Sequence, residues 1–164
     1  MTGRNAVKIS AFAFLIPFGA CRRQGESARR HSDSAFAAMQ ARGQAVMGVD
    51  QYASAHVFED LGDGGRIVLD ADNPSDAAGI GAIRQHMRDI AAAFRGGDFA
   101  KPFQVHAQAV PGTSVMAARR IKITYEASDR PRGAEVRIRT TDSAAVAAIH
   151  AFLAFQRTAH HAAR

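Results

Sequence analysis

At 164 residues, with 47% hydrophobic and 22% charged residues, the chain has the length and composition of one globular domain, and neither of several domains nor of a disordered polymer. Lys and Arg (21) exceed Asp and Glu (15) to give a net charge of +6, which favours anionic surfaces, but the basic residues are scattered and lack interleaved aromatics, so nucleic acid is disfavoured as a partner. A single cysteine, Cys21, excludes an intrachain disulfide and a thiolate metal cage.

Arg4 and Lys8 precede an uncharged, largely apolar run from Ile9 to Ala20, and Cys21 follows it directly. That is the order of a bacterial export signal. The run falls short of the roughly 20 apolar residues of a stable transmembrane helix, and Arg22-Arg23 end it. Phe18-Gly19-Ala20-Cys21 resembles the lipobox of bacterial lipoproteins, whose cysteine thiol receives diacylglycerol, although Phe18 and Pro17 depart from the usual pattern. The resemblance implies a leader over residues 1–20, a lipidated Cys21 as mature N-terminus, and a membrane anchor on the periplasmic face. With Arg22 in place of Asp after the cysteine, the outer membrane of a Gram-negative cell is the implied address. Residues 21–34 are polar, Arg-rich and aperiodic, as expected of a solvated tether, which leaves 35–164 as a single domain.

Within that domain Phe36, Met39, Ala45 and Val46 form a weak helical stripe ending at Gly48. Ala55–Glu59 and Arg66–Leu69 are strand-like runs joined by the glycine-rich Leu61–Gly65, a hairpin pattern. Asn73-Pro74-Ser75-Asp76 supplies turn and N-cap chemistry. Ile80, Ile83, Met87, Ile90 and Phe94 then recur at spacings of three and four up to Gly96-Gly97, with Gly96 expected as the C-cap. Residues 98–111, with Pro102 and Pro111, read as a loop, and 112–118 as its continuation into a strand. Ile121, Ile123 and Tyr125, then Val136 and Ile138, alternate with polar residues about a turn at Arg130–Gly133, a second hairpin. Thr141-Asp142-Ser143 caps a last helix carrying Val146, Ile149, Phe152 and Leu153, which runs to about His160. Each half thus reads strand, strand, helix. The expected fold is α+β: a two-layer sandwich, with a four-stranded antiparallel sheet from two β-β-α units and helices on one face.

Six of the seven histidines fall in this domain. With no thiol to spare in an exported chain, imidazole and thioether are the soft ligands left, and they suit copper, or zinc, better than magnesium or calcium. His56, His86 and His106, with Met87 or Met116 as a fourth donor, form the candidate metal site. No pair has helical metal-clip spacing. His86 and His150 flank apolar stripes, where a histidine is more often a hydrogen-bonded boundary residue. His160-His161 read as a frayed polar end, and His150 and His161 stand about 16 Å apart along a helix, too far to share an ion. Catalysis has no candidate: no nucleophile elbow, isolated carboxylate pair or phosphate loop is present. The competing expectation is a non-catalytic envelope module that binds a protein or another envelope component through its open sheet face or through residues 98–111.

Met47-Gly-Val-Asp-Gln-Tyr52, His56-Val-Phe58, Gly64-Gly-Arg-Ile67, Ile83-Arg-Gln-His86, Gly97-Asp-Phe99, Val105-His106 and Ile149-His150-Ala-Phe-Leu153 resemble a family of small uncharacterised bacterial proteins. The label aspartate carbamoyltransferase attached to proteins of this look has no support in the residues, since the chain lacks that enzyme's Ser-Thr-Arg-Thr phosphate-binding signature. The resemblance implies one structural unit and adds no activity.

Overall fold

The structure, a computed structural model, describes residues 19–162, with side chains described from Asp33 onward; most of the expected leader therefore lies outside the described residues. The chain divides into a unit ending at Asp33 and a unit running from Ser34. In the first, the backbone is helical from Gly19, the start of α1 (Gly19–Met47). This differs from the irregular tether expected over 21–34. The segment carries four arginines with Gln24, Glu26 and Ala28, all good helix formers, and no proline interrupts it between Pro17 and Pro74.

In the second unit the end of α1 is followed by β1 (Ser54–Leu61), β2 (Gly64–Ala71) and α2 (Ala77–Gly96), and, after a connection, by β3 (Thr124–Arg130), β4 (Gly133–Arg139) and α5 (Ser143–Ala159). The strands form one antiparallel sheet in the order β1-β2-β4-β3. The α+β fold expected from the two hairpin-and-helix patterns is the one observed. Registers Phe58↔Ile67, Ile67↔Val136 and Tyr125↔Ile138 align the apolar positions on one face. There they bury against Ile83, Met87, Ile90 and Phe94 of α2 and Ile149, Phe152 and Leu153 of α5. The other face carries its own ion pairs: Glu59 with Arg66, Arg130 with Asp70 (3.2 Å) and Glu135 (3.3 Å), and Arg139 with Glu126.

The two halves are interlocked. Aspartate caps start both helices, Asp76 accepting from the Gly79 amide (2.9 Å) and Asp142 from that of Ala145 (3.0 Å). Each helix then grips the turn of the other hairpin. Arg84 of α2 donates to the carbonyls of Arg130 (2.7 Å) and Gly133 (3.2 Å), and His150 Nε2 of α5 donates to those of Leu61 (3.0 Å) and Gly64 (2.9 Å). His150 is thus the hydrogen-bonded boundary residue its position implied. Gly65 lets α5 descend onto β2, for a Cβ there would come within 2.3 Å of Leu153 Cδ1 and 2.8 Å of the Glu59 carbonyl oxygen.

The connection between the halves departs from the sequence reading. Residues 100–106 form a short helix, α3 (Ala100–His106), because Pro102 falls in its first turn, where a missing N–H costs nothing, and the Asp98 carboxylate accepts from the Ala100 amide (2.8 Å). Residues 113–118, expected to lead into a strand, form α4 (Thr113–Ala118), which buries Met116 completely. A 3₁₀ turn over Arg120–Lys122 follows, so Ile121, expected in a strand, projects into solvent at 88% exposure. Helix α2 ends one residue later than expected, with Gly97 (φ 81°) in the left-handed cap conformation that glycine adopts without strain.

Replacing Gly65 by Ala is expected to destabilise the domain by about 1–3 kcal/mol through overpacking. Leu153→Ala should cost about 2–5 kcal/mol through the cavity it leaves. Because the two groups collide, urea denaturation of the double variant should show a loss smaller than the sum; a strictly additive loss would contradict the contact.

Candidate functional site

A cavity of about 60 Å³ lies where β1, β2, α2, α3 and the end of α5 meet. That is room for a few water-sized groups. The sheet contributes His56, Phe58, Ile67 and Leu69; α2 contributes His86 and Met87; α3 contributes Lys101, Val105 and His106; and α5 contributes Gln156 and His160. Met47, the last residue of α1, lines it as well.

Each histidine arrives by a local rule. His56 shares the core-facing side of β1 with Phe58, its partner two residues on, and the two rings stack at 5.6 Å. His86 sits one residue before Met87, on the buried stripe of α2. His106 ends α3, which is held by Arg42 of α1 donating to the Val105 carbonyl (2.8 Å). His160 lies beyond Phe152 and Gln156 at successive spacings of four, the continuation of the inward face of α5. Arg157 fixes that end by reaching the Phe58 carbonyl (2.8 Å) and both oxygens of Asp60 (3.0 and 2.9 Å) on β1.

The rings gather around His160. Its centroid stands 4.9 Å from His56 in a stacked pair and 5.2 Å from His106 edge to face. Gln156 Oε1 accepts from His106 Nε2 (2.9 Å), which leaves His106 Nδ1 as the unprotonated nitrogen. The Nδ1 atoms of His86 and His160 are buried and have no hydrogen-bond partner. Such groups are rare in folded proteins and mark places where a partner is missing.

Burial in apolar surroundings opposes protonation of all four. It lowers His56 to about 4 and, with help from the Lys101 charge, His86 to about 4. His160 falls to about 3, chiefly by burial and then by its histidine neighbours. His106 is lowered by burial too, against the opposing effect of the hydrogen bond it donates to Gln156. The site is therefore a set of neutral imidazoles, each with one donor and one acceptor nitrogen, in an apolar shell.

Four of the five sequence-predicted ligands, His56, His86, His106 and Met87, share this cavity. Met116 does not: it packs in the core where α4 meets α5, because the chain it was expected to carry into a strand is helical. His160, read as part of a frayed end, is instead central; only its spacing from Gln156 and Phe152 pointed to it. His161 stacks on Phe36 (4.5 Å). Among the described residues no three His, Cys, Asp or Glu side chains stand close enough to close around one metal ion. No known protein family, curated protein or solved structure matches the chain.

The neutral histidines give stability a defined pH dependence. Their folded pKa values lie below the unfolded value of about 6.5, so below that pH the unfolded chain binds protons that the folded chain refuses. Stability should be fully present above pH 6.5, fall as pH drops, and stop falling on account of His56 and His86 near pH 4 and of His160 near pH 3, where each protonates in place. Each imidazole contributes a slope of up to about 1.4 kcal/mol per pH unit inside that window. Urea denaturation from pH 7 to pH 5, above the range of ordinary carboxylates, reads the slope, and His86→Leu should reduce it. A flat profile over those two units would contradict neutral burial.

Proposed function

We propose that the chain is an exported bacterial lipoprotein whose domain is a non-catalytic binding module, with the histidine-lined cavity as its binding site. The observation that carries the binding site is the pair of buried, partnerless Nδ1 atoms on His86 and His160 beside an apolar cavity. Groups without a partner within the protein gain one from a bound ligand. The lining supports binding over catalysis. It contains no Ser, Thr, Cys, Asp or Glu, so no hydroxyl or thiol nucleophile is present and no carboxylate orients an imidazole as a base. The sheet's open face is a weaker candidate for a protein partner, because its charges are already paired across strands.

The export reading rests on the basic start, the apolar run and Cys21 in its lipobox-like setting. Among the described residues no helix is long and apolar enough to cross a membrane. A lipid on Cys21 would hold the protein at the periplasmic face, in the outer membrane of a Gram-negative cell, where an envelope protein is a further candidate partner.

Two measurements test these proposals. Intact-mass analysis of membrane-fraction protein should show a chain beginning at diacylglyceryl-modified Cys21; an unprocessed chain starting at Met1 in the cytosol would contradict the anchor. For the cavity, the low-mass fraction of an envelope extract is added to the full chain while the ¹H–¹⁵N signals of the histidine rings are followed. Selective shifts of His56, His86, His106 and His160, with His150 unmoved, are expected. Unchanged ring signals across concentrated extracts would contradict a binding site there.

A further inference from the structure

The cavity's donor set resolves the class of ligand, and the inference rests on the cavity being the binding site. We propose that it holds a single monovalent copper ion, Cu(I), on imidazole nitrogens of His160 with His56 or His106, with a Met47 or Met87 thioether completing the set.

The proximity of the rings is the first support. His160 stands 4.9 Å from His56, stacked, and 5.2 Å from His106, edge to face, close enough for turned side chains to share one ion at ordinary metal–nitrogen lengths. The buried, partnerless Nδ1 of His160, the ligand common to both sets, is a second and independent one. His106 already has the outer support typical of a metal-bound histidine, its Nε2–H donated to Gln156 (2.9 Å), which keeps Nδ1 free to ligate.

The lining also selects the ion. It offers imidazole and thioether and no carboxylate, which excludes magnesium and calcium, the hard cations that need oxygen ligands. No negative side chain lines the cavity to offset a buried double charge, and the cost of burying an ion grows with the square of its charge. A monovalent ion therefore meets roughly a quarter of the divalent penalty. Lys101, the cation at the cavity wall, has Nζ 4.0 Å from the Asp89 carboxylate, but its charge outweighs that of Asp89 at His86, and it repels a monovalent ion half as strongly as a divalent one. Copper(I) is content with two or three donors and favours thioether, whereas zinc takes four ligands, three or four of them protein side chains drawn from Cys, His and carboxylate. Among the described residues no three His, Cys, Asp or Glu side chains close around one ion, so the set rests on two imidazoles and a thioether. Entry of the ion must unstack His56 and His160 and turn their nitrogens inward. No redox step is involved: the ion enters and leaves as Cu(I).

The test uses the full chain carrying Cys21→Ser, so that no thiol competes, with Cu(I) supplied anaerobically against the chromophoric chelator bathocuproine disulfonate. Stoichiometric Cu(I) binding is expected, with X-ray absorption showing imidazole nitrogen and thioether sulfur as the neighbours. His160→Ala should abolish competition with the chelator. Gln156→Ala, which leaves every ligand in place, should weaken binding roughly tenfold to a hundredfold where His106 is the second imidazole, and leave it unchanged where His56 is. His150→Ala, outside the cavity, should change nothing beyond stability. If His160→Ala disturbs folding by circular dichroism, the absorption spectrum of the parent chain decides alone. Complete loss of Cu(I) to the chelator, binding that survives His160→Ala, or an all-oxygen coordination shell would overturn the proposal. Should Cu(I) leave the histidine signals unmoved while the low-mass envelope fraction shifts them, the copper assignment fails and the binding module stands. If neither moves them, both fail.

Discussion

Desolvation of imidazole is the constraint on which the rest of the site depends. A histidine in water divides its time between charged and neutral forms near neutrality. Those of the cavity do not, because Phe58, Ile67, Leu69, Val105 and Phe152 share its walls and replace water around the rings. The consequence runs in both directions. The fold must exclude water to keep the rings neutral, and the neutral rings keep lone pairs that protons would otherwise occupy. Two of the nitrogens, on His86 and His160, pay for this arrangement with lost hydrogen bonds, a cost that core packing elsewhere must offset.

The cavity arises where the repeat is broken. The halves are alike in strand pairing, in aspartate caps at Asp76 and Asp142, and in the way each helix clamps the opposite hairpin through Arg84 or His150. Helix α2 lies chiefly over β3 and β4, and α5 over β1 and β2, so neither half is complete without the other. What the halves do not share is the connection from Gly97 to Ile123, which carries α3. This short helix brings Lys101 and His106 to the cavity wall, and Arg42 from α1 secures it. A domain built only from the two repeats would lack that wall.

Much of this was legible in the sequence because it follows from periodicity. The alternation in both hairpins and the spacing of Ile80 to Phe94 fix the sheet and its helices, and the order of the elements then leaves few topologies. The cavity's histidines were legible as residue types suited to soft ligands, and His56, His86 and His106 line one cavity. The errors have physical causes. Pro102 marked residues 98–111 as loop because proline breaks a helix interior, yet in a first turn it is tolerated. Met116 was placed by a strand that does not form. His160 was discounted because it ends a helix, although its position one turn past Gln156 continues the buried face. Where α3 and α5 bring their side chains together is a long-range matter that no local pattern records.

The most direct test of this account is the protonation of each ring. Long-range ¹H–¹⁵N spectra of the full chain, recorded as pH is lowered, report the charge of every histidine separately. The account predicts that His56, His86 and His160 remain neutral below pH 5. Titration of these three rings near pH 6.5, the value of a solvated imidazole, would contradict it.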